Sequence, residues 1–476
     1  MNPCDGKIFD WRRIAIGTFA TAGLMMSGCL AGDWEIIPRV ALEERYTDNL
    51  TQTQTGQLSD FVTEMTPGLS VRGEGGRVEL TLDYNFQRLL YADNGQFDQT
   101  NHQFDADGLA ELYEDIIFVE VNSTVSQQSI SNTLAFAENT STPTGNRDDV
   151  IFYYLRPYFQ HRLGNWADIE TGFSFSSSAS DSQAFGNRDE TATDIEINSG
   201  PRLGFLILGL NWQSSEQTFG NDTENNLRRI DTTIGYVVNS KFTFDTSAGY
   251  ERNDFSDGEQ RTNINWSVGG TWIPSPRTSV SGSYASRPFG KTINFDASYR
   301  IRRFTLELSH LEDLRTSNQL QQNLQLVEQF NVFGQQFFDS FTSSSIGTPL
   351  NTASINSGVA VDRSTRLSAG FAGRRTDLTV RYFRNDREFN DTTPTELINT
   401  IDTVVNYRLS RRLQARLGFL WRRGEGGNNV DRRIRVDPEI RYDLGPNTDL
   451  RVRYEYSSGN GGRNENSVAL GLTYDF

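Results

Sequence analysis

Ser467-Val-Ala-Leu-Gly-Leu-Thr-Tyr-Asp-Phe476 closes the chain. In a β-strand successive side chains point to opposite faces. Val468, Leu470, Leu472, Tyr474 and Phe476 therefore share one face, and Ala469, Gly471, Thr473 and Asp475 share the other. A strand that is apolar on one side, small or polar on the other, and finished by an aromatic residue is the stretch from which the rest of the chain is best read.

The same two-faced pattern recurs upstream. Residues 430–444 set Val430, Ile434, Val436, Pro438, Ile440, Tyr442 and Leu444 against Asp431, Arg433, Arg435, Asp437, Glu439, Arg441 and Asp443. Residues 449–456 set Leu450, Val452, Tyr454 and Tyr456 against Arg451, Arg453 and Glu455, and residues 412–422 set Leu413, Leu417, Phe419 and Trp421 against Arg412, Arg416 and Arg422. Near the other end, residues 76–91 place Val78, Leu80, Leu82, Tyr84 and Phe86 opposite Glu79, Thr81, Asp83, Asn85 and Gln87. Such a segment has one side for lipid and one for water or paired charge. Tight turns, as at 163–165, 238–241, 274–277 and 444–448, alternate with longer polar stretches, as at 48–60, 128–149 and 386–396. These features predict an all-β protein, a transmembrane antiparallel up-and-down β-barrel of about 22 strands (roughly 16–22), with short periplasmic turns and longer extracellular loops. Its place is the outer membrane of a Gram-negative cell, among lipid and lipopolysaccharide. Tyr474 and Phe476 form the expected signal to the barrel-assembly machinery.

Composition agrees. The 476 residues are 36% apolar yet 12% aromatic, with a net charge of −16. A soluble core usually draws on more apolar residues, whereas a barrel needs one apolar face per strand and aromatic girdles. The acidic balance argues against a nucleic-acid partner. Lys7, Lys241 and Lys291 are the only lysines among 45 basic residues. Arginine forms planar two-point pairs with carboxylate or phosphate, and lysine does not. Both cysteines, Cys4 and Cys29, lie in the first 30 residues, so the rest holds no thiol chemistry.

Residues 1–31 read as an export signal: Lys7, Arg12 and Arg13 precede an apolar run over 14–26 that is too short to span a bilayer as a helix. Two readings of its end stand. Ala31 suits a signal-peptidase cut, and Met26-Ser27-Gly28-Cys29 resembles a lipobox that would lipidate Cys29. The single barrel then occupies 32–476. A 22-stranded count is shared with plugged receptors for metal chelates, but the first strand begins at Trp34, so no plug is expected. One connection, 311–362, is unusually long. Leu320, Leu324, Val327, Phe330, Phe333 and Phe337 recur there at helical spacing. A short helix that folds into the lumen or lies over the outer mouth is expected, with a loose external loop as the alternative.

The opening Trp34-Glu-Ile-Ile-Pro38-Arg-Val-Ala-Leu-Glu43-Glu44-Arg45-Tyr46-Thr47-Asp48-Asn49 resembles the first motif of the PEP-CTERM system-associated outer-membrane proteins. The likeness continues through Ser59-Asp60-Phe61-Val62-Thr63-Glu64-Met65-Thr66-Pro67-Gly68, through Gln99-Thr-Asn-His102-Gln, and at Ser199-Gly200-Pro201-Arg202. The first 70 mature residues carry most of it, with Trp34, Pro38, Tyr46, Asp48 and Asn49 as the motif residues. The resemblance implies a non-enzymatic barrel that exports or anchors an exopolysaccharide beside an exosortase system, with polysaccharide as a partner. It supplies no catalytic residue. A porin-like diffusion channel, an anchor with a filled lumen, and a barrel-embedded hydrolase are the alternatives.

Little in the sequence carries chemistry. His102, His161 and His310 show no metal-ligand spacing. His161, with Ser174 and Ser176–Ser178 on the following strand, is the one nucleophile arrangement worth testing. Asp83, Asp115 and other inward carboxylates are candidates to pair for acid–base work, and Asn221-Asp-Thr-Glu224 and Asn385-Asp386 for calcium. No metal or cofactor is expected. The residues expected to line the lumen are Arg381, Arg408, Arg416, Arg433, Arg435, Arg441, Arg451 and Arg453, with Asp431, Asp437, Glu439 and Glu455. They either pair across strands and stiffen the wall, or leave surplus arginine along a water path that attracts anionic groups.

Overall fold

A computed structural model describes residues 32–130, 140–180, 187–219, 224–328, 359–390 and 394–476. The leader, with Cys29 and both cleavage readings, lies outside them. The described chain is almost wholly strand. In order these are β1 (Gly32–Thr47), β2 (Asp60–Gly75), β3 (Val78–Tyr91), β4 (Gln99–Tyr113), β5 (Ile117–Ser129), β6 (Arg147–Leu163), β7 (Ala167–Ser180) and β8 (Arg188–Ser199). Then come β9 (Leu206–Phe219), β10 (Glu224–Asn239), β11 (Phe242–Asp254), β12 (Gln260–Ser275), β13 (Thr278–Arg287), β14 (Gly290–Ile301) and β15 (Phe304–Thr316). A helix α1 (Ser317–Glu328) leads on to β16 (Val359–Ala372), β17 (Thr376–Phe389), β18 (Glu396–Arg408), β19 (Leu413–Gly426), β20 (Asn429–Gly445), β21 (Thr448–Gly459) and β22 (Arg463–Asp475).

Each strand pairs antiparallel with its neighbours in sequence, and β22 returns to pair with β1, so the 22-stranded sheet closes on itself. The strand number and the alternating faces agree with the sequence reading. The strands are longer than a bilayer requires, from 10 to 17 residues, because pairing continues past the apolar belt. For the same reason β15 runs to Thr316 and β16 begins at Val359, within the span 311–362 assigned to the long loop. Pairing breaks locally at Pro67, Pro157 and Pro438, which have no N–H to donate to a ladder.

Every even-to-odd connection is short, and both strand ends at the seam lie on that side. The other side carries the longer links, although 288–289, 427–428 and 460–462 are tight there too. The last of these shows why. Gly461 has φ +70, and a Cβ on it would sit 1.9 Å from Gln54 Nε2. The link is small and left-handed because the β1–β2 loop folds down onto it. That loop also buries Leu50 with Val62, Leu89 and Tyr91, a small apolar core at the loop end of the barrel.

Burial is inverted relative to a soluble protein. Large apolar residues face outward: Leu470 is 52% exposed, Val452 47%, and Ile440 51%. The buried set is dominated by Arg, Asp, Glu, Asn, Gln, Ser and Thr. Outward aromatic pairs, such as Tyr46 with Phe61, Phe205 with Tyr236 and Trp266 with Tyr284, supply rings near both edges of the belt. No helix among the described residues is long and apolar enough to cross a membrane.

Leu470→Arg is expected to destabilise the folded barrel in vesicles by about 2–4 kcal/mol, since the residue faces lipid. Ala469→Ser, one position away on the buried face, is expected to cost far less. Urea unfolding in lipid vesicles, read by heat-modifiable gel mobility, checks the contrast.

Candidate functional site

The inner wall divides into three regions. The first, running from β19 through β22 to β2, is a continuous charged array. Asp437 accepts from Arg416 Nη1 and Arg435 Nε, both at 3.2 Å. It can lie there because Gly418 stands opposite it, where a Cβ would come within 2.4 Å of Asp437 Oδ1. Arg453 bridges Glu43 at 3.3 Å and Glu439 at 3.4 Å. Arg45 joins Glu43 at 2.8 Å and reaches Glu455 at 3.8 Å. Arg441 and Arg451 share Asp449, at 3.3 and 2.9 Å. Arg463 pairs with Asp431 at 2.7 Å. Arg433 donates to Gln52 Oε1 at 2.8 Å, and Gln52 in turn donates to Glu465 at 2.7 Å.

The residues expected along the lumen thus fall on one buried face, with two outliers. Arg381 stands apart on β17, where both Nε and Nη2 donate to Asp402 Oδ2. Arg408 sits at the short-turn rim, half exposed and 4.0 Å from Asp377. Most of the set meets a carboxylate, because acidic residues recur at the same alternating positions on neighbouring strands. Glu43, Arg45, Asp449 and Glu465 belong to the array as well. Their parity on β1, β21 and β22 was visible in the sequence, but their partners were not.

The opening motif has a structural role at the seam. Phe476 N–H donates to Pro38 O at 2.9 Å. Asp48 accepts from Asn466 N and Nδ2, both at 2.7 Å. Asn49 Nδ2 donates to Asn464 O at 2.8 Å and to Thr53 O at 2.9 Å. Tyr46 packs on Phe61, and the Trp34 ring lies where a Cβ of Gly73 would be. Tyr474 and Phe476 form an edge-to-face pair at 4.7 Å on the outer surface.

The second region is a recess of about 440 Å³ in the wall formed by β11 to β17. Thr271, Ser281, Ser283, Ser309, Asp296 and Arg366 are among its lining residues. Arg366 lies over the Phe383 ring at 5.6 Å.

The third region is where α1 lands. Thr316 hydroxyl and Gln319 Nε2 donate to the two oxygens of Glu190, at 2.5 and 2.9 Å. Asn318 Nδ2 donates to Ser176 Oγ at 3.2 Å, and Ser178 donates to Asn318 Oδ1 at 3.1 Å. Gln217 Nε2 donates to Ser317 Oγ at 2.9 Å. These acceptors and donors lie near the loop ends of β7, β8 and β9, so the end of β15 and the start of α1 lean inward there to meet strands that are not neighbours of β15. Nothing local in the sequence marks Glu190 or Gln217 as its receivers.

The histidine–serine arrangement does not assemble. Register sets His161 opposite Ile169, well along β7 from Ser176–Ser178. His102 Nδ1 bonds the Tyr84 hydroxyl at 2.9 Å, and His310 sits between Thr365 and Glu312. Asp115 lies in a turn at φ +56, not on the inner wall with Asp83. Asp83 accepts from Ser70, and the register sets another inward carboxylate, Asp105 on β4, directly opposite it. Asn385 donates to Asp362 at 2.7 Å, whereas part of Asn221–Glu224 lies outside the described residues. Among the described residues no group of three or more His, Cys, Asp or Glu is placed to hold a metal.

A sequence family described as "Putative beta-barrel porin 2" matches residues 24–146. The chain is a porin-like outer-membrane β-barrel, and its cell is Gram-negative. No curated protein matches it. Among solved structures it is similar to the FrpB iron transporter (F5-1 variant) from Neisseria meningitidis, at 12% identity and TM-score 0.48, over 94% of this chain and 83% of that one. It is also similar to a mutant of the ferric enterobactin receptor PfeA from Pseudomonas aeruginosa, at 10% identity and TM-score 0.49, over 93% and 80%. The siderophore receptor PiuA from Acinetobacter baumannii gives 10% and 0.48, over 94% and 82%. Likenesses this distant carry nothing about what this barrel transports.

Arg453→Leu is expected to cost about 3–5 kcal/mol, because it leaves Glu43 and Glu439 buried with one cation fewer. Adding Glu439→Leu is expected to recover part of the loss. Urea unfolding of the refolded variants in detergent measures both.

Proposed function

We propose that the barrel is a passive, constricted conduit for hydroxyl-rich polar solutes. The observation that carries this reading is the hydroxyl-lined recess on β11–β17, beside which the end of β15 and the start of α1 lean inward to meet β7–β9. Serine and threonine hydroxyls, with three carboxylates (Asp245, Asp296 and Asp362) and two guanidiniums (Arg315 and Arg366), offer donors and acceptors of the kind a sugar engages, with the charges close to balance. The charged array on β19–β22 would form a rigid wall beside the path, since paired charge attracts passing anions little. The polar contacts of α1 would set the width of the passage.

The finer reading, export or surface attachment of an exopolysaccharide, rests on the likeness of the opening motif to exosortase-associated barrels. A saccharide-compatible lumen is in keeping with it. Deleting the gene and assaying surface polymer tests it: unchanged polymer would remove the exopolysaccharide role and leave the conduit reading standing. A filled anchor that conducts nothing is the competing assignment.

In planar bilayers the refolded protein is expected to show discrete channel events. The double variant Asn318→Ala, Glu190→Gln is expected to raise unit conductance roughly twofold by freeing α1 from β7 and β8. Absence of channel events in both proteins would leave the anchor.

A further inference from the structure

A second set of arginines points away from the lumen. Arg384 is exposed between Phe383 and Asn385, each 1% exposed on the inner face. Arg432 is exposed between buried Asp431 and Arg433, and Arg423 follows buried Arg422. The register joins them in one row across four strands: Arg384 opposite Asn399, Asn399 opposite Arg423, and Arg423 opposite Arg432. At about 4.8 Å per strand the row spans roughly 14 Å.

Its place in the wall is set by the neighbouring outward row. Two residues nearer the short-turn end, Tyr382, Ile401, Trp421 and Ile434 lie opposite one another in the same register. This is the upper edge of the apolar belt, so the arginine row stands where hydrocarbon gives way to headgroup on the side of the longer loops. That side is extracellular in barrels whose short turns are periplasmic.

The protein neutralises only part of the row. Arg423 pairs with Glu425 at 2.5 Å. Among the described residues no ion pair joins Arg384 or Arg432 to an acid. Arg423 and Arg432 are direct cross-strand neighbours, and like charges so placed repel. A phosphate group lying over them would accept two-point hydrogen bonds and reverse the sign of that interaction. The arrangement is repeated on β10 and β11, where Arg228 lies opposite Arg252 just beyond the outward pair Ile230 and Tyr250. There Arg252 also meets Asp254 at 3.0 Å.

We propose that Arg384, Arg423 and Arg432 form a binding row for the phosphate groups of lipopolysaccharide in the outer leaflet. The row is continuous with the lipid-facing belt, so its ligand is the headgroup of the molecule whose acyl chains cover Tyr382, Ile401, Trp421 and Ile434. The proposal is independent of the lumen, and its failure would leave the conduit reading untouched.

The test uses the full-length protein refolded in detergent and titrated with purified lipopolysaccharide, with the same lipopolysaccharide after removal of its phosphates, and with inorganic phosphate. The protein is expected to bind the phosphorylated glycolipid about tenfold more tightly than the dephosphorylated one, through charge-assisted contacts. The triple variant Arg384→Gln, Arg423→Gln, Arg432→Gln is expected to lose that preference. Arg300→Gln, Arg303→Gln at the short-turn end is expected to keep it. Heat-modifiable mobility verifies folding, and if the triple variant fails to fold, Arg384→Gln alone, at an exposed site, is expected to lose about threefold. Equal binding of both glycolipids, wild-type affinity in the variants, or full competition by inorganic phosphate would each overturn the assignment.

Discussion

Closure of β22 on β1 is the constraint on which the rest depends. In hydrocarbon a backbone N–H or C=O has no water to bond, so an open sheet edge cannot persist there. The seam answers this with a full antiparallel ladder from Arg39–Thr47 to Ser467–Asp475. Side chains reinforce it at both ends. Arg39 meets Asp475 at 2.7 Å, and Asp48 and Asn49 clasp Asn466 and Asn464. The opening motif and the terminal strand, at opposite ends of the chain, are the two halves of one joint.

With the edge removed, the two faces can specialise. The apolar outside needs little shape complementarity, because lipid adapts to it. The inside is where specific packing occurs, and it is built from charge. Buried ion pairs stabilise weakly relative to apolar packing, but breaking one leaves an uncompensated charge. An array in which Glu43, Arg45, Arg453, Glu439 and Glu455 share partners therefore disfavours register slips, since a one-residue shift would turn the charges toward lipid. Glycine has a defined part in this: Gly418 leaves the space that the Asp437 carboxylate occupies.

Much of the fold was legible because barrel strands are local objects. Alternation at Val430–Leu444, or at Leu470 and Ala469, can be read two residues at a time, and it assigns each side chain to lipid or lumen without knowledge of a partner. The expected inward arginines on β19–β21 lie inside for that reason. Arg408 shares their parity but sits at the rim, since parity says nothing about depth. His161 stands far from Ser176–Ser178, and Asp115 lies off the inner wall, because distance along neighbouring strands and the turn at 114–116 are register properties.

The sequence by itself determined the class of architecture, the range of the strand number, the two faces and most of the residues that point inward, all consequences of a period of two set by strand geometry; closure of the sheet settled the count at 22. Only the tertiary structure decided which inward groups meet. Arg45 finds Glu455 some 410 positions away, Gln52 folds back between Arg433 and Glu465, and the start of α1 meets Glu190 and Gln217. Those contacts are fixed by the curvature and closure of the whole sheet, which bring together strands whose order in the chain carries no local trace of their nearness.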